Sequence, residues 1–293
     1  MNRVSIIRTI TPLHVGTGQA AGPVDLPIAR ERATGWPVIP GSSVKGVLRD
    51  AATTDLIVKG EAKDDKEAEK LLKDIFGTTP KNAEDQGKAG ALCTTDMRIV
   101  FFPVRSYAGT FAYVTSPLAI ARLLELLEIA GQPIQGIDPK NLVVTEGCLV
   151  TADSVLKATN TKVLFEDFDL DAKEDASGTL AKLGEFLAEK FGTVRDNVAK
   201  RLAVVSDTVF SFLVESATEI VTHVTLEFET KTAKQGGLRS EESVPAEAIF
   251  AGLVTVPDDE QEAQKHADSL KGVTIQFGGK ASTGMGLCRF EVV

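Results

Sequence analysis

LHVGTGQAAGPVDLPIARERATGWPVIPGSSVKGVLRD, residues 13–50, is the stretch that decides the fold. Gly16, Gly18 and Gly22 surround a loop that ends at Asp25, a turn signal follows at Thr34-Gly35, and a glycine-serine-serine turn then opens a helix. A dinucleotide fingerprint would need a helix to start at the first glycines, so that its N-terminus faces the pyrophosphate. Here the glycine spacing is one residue too long, and Pro23 and Pro27 forbid a helix through the loop. IPGSSVKG (39–46) misses the phosphate-loop pattern as well, because Lys45 is followed by glycine rather than Ser or Thr. It keeps a glycine turn, two hydroxyls, a helix start and a lysine, which together attract a phosphate. A plain capped helix is the simpler account of that segment taken alone.

Periodicity extends the reading outward. Val4, Ile6 and Ile10 are spaced as in a first strand. Val44, Val47, Leu48, Ala51 and Ala52 make one apolar stripe of a helix, with Ser42 or Ser43 as its N-cap and Lys45 and Arg49 together off the stripe. The charged stretch 61–76 predicts a second helix, read as a solvated excursion. Residues 94–105 predict a strand that ends at Pro103. Residues 115–131 predict a strong helix with Ser116 as cap, Pro117 in the first turn and Gly131 at the end. Strands are expected near 141–152 and 161–166, and a helix over about 178–200. Residues 209–229 mix strand alternation with a helix start. The polar stretch 229–249 carries Gly236-Gly237 and predicts a protruding hairpin. The chain closes as strand, glycine loop, strand, the loop being FGGKASTGMG (277–286). Its glycines surround Lys280, Ser282 and Thr283 and favour close approach of a ligand. The irregular mixture of strands and helices reads as α+β with long insertions.

Composition narrows the function. The 293 residues contain three cysteines and three histidines, widely spaced, so neither a disulfide framework nor a zinc site is expected and a reducing cytoplasm is the simplest setting. No apolar run is long enough to span a bilayer, and no membrane partner is expected. The formal net charge of −9 argues against nucleic acid when averaged, yet acid is concentrated in 61–74, 166–178 and 258–264, while residues 1–50 lean basic. No Ser-His-Asp order is readable. Taken singly, Asp25 reads as a loop aspartate, His14 as structural, and Glu241 and Glu242 as solubilising.

In combination these segments are specific. The 13–50 stretch, MRIVFFPVRS, YVTSPLAIARL, VVSDTVFSFLVESATEIVTHVTL and GGKASTGMGLCRF resemble the RAMP superfamily of CRISPR RNA-binding subunits, and within it the repeated backbone subunit of Cmr-type (type III-B) complexes. The resemblance spans nearly the whole chain. It implies a single RAMP domain over 1–293: a modified RRM-like (ferredoxin-like) palm with a helical insertion over about 55–92 and a β-hairpin thumb over about 227–250. It also implies head-to-tail copies along a guide (crRNA), other Cmr-complex subunits as partners, and metal-dependent cutting of target RNA wherever a thumb displaces a base pair. The family's cleavage aspartate falls on Asp25, which would also hold a divalent ion, Mg2+ or Mn2+. Its loop histidine falls on His14, which stands with Asp25 as a catalytic candidate, and its guide-contacting lysine falls on Lys45. Gly16, Gly18, Ser42, Ser43, Arg49, Gly279, Lys280, Ser282, Thr283 and Gly284 join Lys45 as expected RNA contacts, and Leu238, Glu241 and Glu242 are the thumb candidates. Where relatives carry aromatics beside the paired acids, this chain has Arg239, Ser240 and Ser243.

With only 6% aromatic residues, backbone contacts should outweigh base stacking. An aspartate with a pKa near ~4 is a poor base at neutral pH, so the expected route is in-line attack by the RNA's own 2′-OH, giving a 2′,3′-cyclic phosphate and leaving DNA uncut. The alternatives are a non-catalytic backbone subunit, the equivalent subunit of a Csm-type complex, a free-standing guide-processing nuclease and, most distant, an enzyme for a small phosphorylated metabolite.

Overall fold

The expected first strand is present, and its neighbours bury it on both faces. In the computed structural model, which describes residues 1–19, 22–78, 87–191 and 198–293, β1 (Asn2–Thr9) lies antiparallel between two strands from the C-terminal part of the chain. The chain continues through β2 (Val38–Ile39), α1 (Gly41–Val58), α2 (Asp65–Phe76), the small pair β3 (Gly77–Thr78) and β4 (Lys88–Ala89), and β5 (Cys93–Thr94). Next come β6 (Met97–Arg105), β7 (Phe111–Thr115), α3 (Pro117–Ile129), β8 (Cys148–Val150), β9 (Lys157–Thr159), β10 (Lys162–Phe165) and β11 (Phe168–Glu174). The last part holds α4 (Thr179–Phe191), β12 (Leu202–Val205), α5 (Asp207–Ser216), β13 (Glu219–Leu226), β14 (Ala233–Ser243), β15 (Ile249–Thr255), α6 (Gln261–Ser269), β16 (Val273–Gln276) and β17 (Leu287–Val292).

One large mixed sheet runs β16-β17-β1-β15-β6-β7-β12-β8-β11-β10-β9. Its faces bury separate cores. Val4 and Ile6 of β1 pack with Leu123 and Leu127 of α3 and Leu183 and Leu187 of α4. Ile7 faces the other way, into a core shared with Leu48 of α1, Phe76 of α2, Phe210 of α5 and Ala267 of α6. Each such Leu or Phe contributes about 1.5–3 kcal/mol on burial. The fold is therefore mixed α+β, with helices on both faces of the sheet. No helix among the described residues is long and apolar enough to cross a membrane.

Local chemistry accounts for the helix that the sequence marks most clearly. Ser116 accepts from the N–H of Ala119, Pro117 opens α3, and Gly131 (φ 71°) lies beyond its end. Elsewhere the structure departs from expectation. Pro40, rather than Ser42 or Ser43, occupies the N-cap of α1 and offers no side-chain hydrogen bond. The charged 61–76 stretch is no excursion, since Ala68, Leu72 and Phe76 form a buried stripe and the last two belong to the main core. β6 runs through Pro103, which lies beyond Phe101, the last residue of β6 paired with β15, so the missing N–H costs no ladder bond there. α4 ends at Phe191, and the remainder of the expected helix, like 79–86 of the expected insertion, lies largely outside the described residues.

The largest shift concerns the hairpin. It is built from β13 and β14 and spans 219–243, so it starts ahead of the expected 227–250 and ends sooner. The mixed stretch 209–229 divides between the end of α5 and all of β13. Gly236-Gly237 does not reverse the chain; it sits in an irregularity of β14 between the Leu226–Ala233 and Val224–Leu238 pairs. The reversal is at 227–232, where Glu227 N–H donates to Thr232 O at 2.8 Å.

Candidate functional site

Asp25 reaches its position through the hairpin. Leu26 pairs in parallel with Glu241: Leu26 N–H donates to Ser240 O at 3.1 Å and Glu242 N–H donates to Leu26 O at 3.0 Å. The loop before β2 is thus laid along the root of β14. Ser240 closes on Asp25 from both sides. Its N–H and hydroxyl donate to Asp25 Oδ2 at 2.7 and 2.9 Å, and its Oγ accepts from Asp25 N–H at 2.9 Å. The Ser240 N–H and then its hydroxyl hold the Asp25 carboxyl below the usual aspartate range. Asp25 is therefore an anion at neutral pH and a poorer base than its ordinary pKa implies. Both donors go to Oδ2, and among the described residues Oδ1 accepts no hydrogen bond from another residue.

His14 ties the two glycine loops together. Its Nδ1 lies 2.7 Å from Glu242 O, and a carbonyl only accepts, so the ring proton is assigned to Nδ1. Nε2 then lies against Gly16, where a Cβ would come within 2.5 Å of it. Gly16 is needed for that ring, while Gly18 (φ 91°) supplies the left-handed turn. His14 O accepts from Gly279 N–H at 2.9 Å, and a Cβ at Gly278 would lie 2.4 Å from the same carbonyl oxygen. Part of the glycine richness of 277–286 thus serves the chain's own close packing rather than a ligand.

Adjacent acids on β14 have opposite fates. Glu242, 6% exposed, accepts from Ile28 N–H at 3.1 Å, from Thr218 Oγ1 at 3.0 Å and from Arg30 Nη2. Arg30 also donates to Gly35 O and Val214 O. Glu241, 3% exposed, pairs through Oε2 with Lys280 Nζ at 2.9 Å, has His223 Nε2 at 3.9 Å, and leaves Oε1 without a hydrogen bond. Lys280 itself has a left-handed backbone (φ 66°), which turns its side chain toward the hairpin root. Both glutamates are thus buried at the hairpin's base, where the sequence alone reads them as solubilising.

The remaining candidates lie apart from this cluster. No hydrogen bond or ion pair among the described residues joins Ser42, Ser43 or Lys45 to it. The start of α1 is tied down by the chain itself: Gly41 N–H donates to Asp96 Oδ1 at 2.8 Å and Thr94 Oγ1 donates to Gly41 O at 2.8 Å. The Asp96 carboxylate supplies the negative charge that a helix start attracts. Arg49 donates to Phe76 O at 2.9 Å and so fastens α1 to α2. Ser282, Thr283 and Gly284 are all exposed, and Thr283 Oγ1 donates to Lys280 O. Leu238 is 69% exposed on the hairpin shaft. Ser240, Arg30 and Asp96 carry much of the geometry and escape sequence reasoning, because nothing in their spacing announces their partners.

Metal binding has limited support in the donor set. Among the described residues no group of three or more His, Cys, Asp or Glu is arranged to hold an ion. Asp25 Oδ1 alone fits a magnesium-like ion, which takes one or two carboxylates and fills its shell with water and substrate phosphate oxygens.

A family model described as the RAMP superfamily matches residues 6–289. The chain is 35% identical to the CRISPR system Cmr endoribonuclease Cmr4 of Pyrococcus furiosus, over 96% of this chain and 92% of that protein. It is 24% identical to the CRISPR system CMR subunit Cmr4 of Saccharolobus solfataricus, over 96% and 93% respectively. The crystal structure of oligomeric Cmr4 from Pyrococcus furiosus superposes with a TM-score of 0.74 at 29% identity, covering 100% of this chain and 98% of that one.

Proposed function

The chain belongs to the RAMP superfamily, and from that premise we propose that it is the repeated backbone subunit of a cytoplasmic type III-B CRISPR ribonucleoprotein and an endoribonuclease within it. Copies assemble head-to-tail along a guide RNA together with other Cmr subunits. The large sheet acts as a modified RRM-like palm, and the β13–β14 hairpin is the thumb that opens the guide–target duplex. The observation that carries the reading is the convergence of Asp25, His14, Lys280 and both glycine loops on the root of that hairpin. Bases displaced by the thumb would bend the target strand beside this cluster.

The cut is assigned to the target's own 2′-OH. Its oxygen attacks the adjacent phosphorus in line, the bond to the 5′ oxygen breaks, and the products are a 2′,3′-cyclic phosphate and a 5′-hydroxyl. The 2′ proton passes to solvent and the leaving oxygen is protonated from solvent. Asp25, held as an anion, is not the base in this scheme. Asp25 would hold a divalent cation, Mg2+ or Mn2+, which would supply charge neutralisation at the phosphate. The Lys280 ammonium spends one donor on Glu241 and has two more for phosphate. His14, buried beneath Gly16, holds the two loops in register. Lys45, with no ion pair among the described residues, is left for the guide backbone.

Complexes carrying Asp25→Asn in every copy test the reading. They should assemble with guide RNA and bind target, while cleavage falls by at least about a hundredfold, the scale for losing a transition-state electrostatic contact. A target with a single 2′-deoxy substitution at the cut position should survive there. Undiminished cutting by the Asn variant, or cutting after 2′-deoxy substitution, overturns the assignment.

A further inference from the structure

The carboxylate of Asp25 has one neighbour that determines its direction. Ser240 makes a closed pair of contacts with it: the serine hydroxyl accepts from Asp25 N–H and donates to Asp25 Oδ2, while the serine N–H donates to the same oxygen. Three short bonds between two residues 215 positions apart leave Oδ2 fully engaged and Oδ1 aimed away from it. Ser240 belongs to β14, where it faces Thr222 across the hairpin ladder. Among its described residues the loop around Asp25 carries no regular secondary structure, and its ladder contacts include single bridges, to Glu241 from Leu26 and to Ile28 from Gly16. The carboxylate therefore takes its orientation from the hairpin rather than from the sheet.

We propose that Ser240 is a positioning residue that couples the seating of the hairpin to the orientation of the Asp25 carboxylate, so that a copy cuts only when its hairpin is correctly placed. The proposal rests on the reading of Asp25 given above. A shift of the β14 root carries the Ser240 N–H and hydroxyl with it, and Oδ1 turns accordingly. Misplacement of a catalytic group by about 1 Å can cost on the order of a hundredfold in rate. The hydroxyl is the part that can be removed alone, because the backbone donor and the Leu26–Glu241 bridge remain.

The test uses assembled complexes with guide RNA and measures target affinity and single-turnover cleavage at saturating target. Ser240→Ala should slow cleavage roughly ten- to a hundredfold with target affinity unchanged, and Ser240→Thr, which keeps a hydroxyl, should recover most of the rate. In an Asp25→Asn background, Ser240→Ala should add nothing. An unchanged rate in Ser240→Ala, or a loss of affinity as large as the loss of rate, overturns the proposal. So does a Ser240→Thr variant as slow as Ser240→Ala. Should Ser240→Ala fail to assemble, Ser240→Gly also removes the hydroxyl while keeping the backbone donor, and wild-type speed from that variant overturns the proposal equally. Normal cleavage by Asp25→Asn is a separate outcome, which removes Asp25 itself rather than its link to Ser240.

Discussion

The root and the shaft of one hairpin are opposite in burial, with buried acids at one end and exposed apolar side chains along the other. At the root, Ser240, Glu241 and Glu242 are tied to Asp25, Lys280, Ile28, Arg30 and Thr218, all but Thr218 from elements distant in sequence. Along the shaft, Val224, Leu226 and Leu238 are exposed, and at the reversal Phe228 is 86% exposed, with Lys231 Nζ 4.4 Å from the centre of its ring. A two-stranded ribbon by itself is marginal in water. The root supplies the anchorage, by buried ionic and backbone contacts, and frees the shaft to keep apolar side chains in solvent. The exposed Phe228 also supplies at the tip an aromatic that the residues beside the paired acids lack.

Three substitutions probe that contrast, all read as the shift in denaturant unfolding of the purified chain. Glu242→Ala strips the acceptor from three donors and should destabilise by about 3–5 kcal/mol, the cost of breaking a buried pair. Lys280→Ala deprives the buried Glu241 carboxylate of its cation, and because the lysine is partly exposed the expected loss is smaller, about 1–3 kcal/mol. Leu238→Ala on the shaft should stay within about 0.5 kcal/mol. Equal losses from Leu238→Ala and Glu242→Ala would erase the distinction; a neutral Glu242→Ala would show that the root is held by its backbone ladder alone.

The same contrast marks how far the sequence could be read. Periodicity and caps were sufficient for α3, because Ser116, Pro117 and Gly131 act within a few residues of one another. The closing strand–loop–strand was legible for the same reason. The hairpin was displaced because its glycine pair fills a bulge, and a bulge and a reversal draw on the same residue type. α2 reads as solvated because its charge hides a three-residue apolar stripe. At the site, Asp25 and Lys280 were singled out, yet the roles of neighbours were not legible. Paired glutamates look soluble until Arg30 and Lys280 arrive from elsewhere in the chain, and the start of α1 looks open to phosphate until Asp96 closes on Gly41. Long-range partners of polar groups leave no periodic trace.

Complexes assembled from mixed wild-type and Asp25→Asn chains offer the most direct measurement of all. If every copy carries its own cutting site at its hairpin root, an end-labelled target cut less than once on average keeps the same band positions, and the yield of each band falls in proportion to the fraction of Asp25→Asn chains. Bands whose yield does not change with that fraction would place the cutting group elsewhere in the assembly.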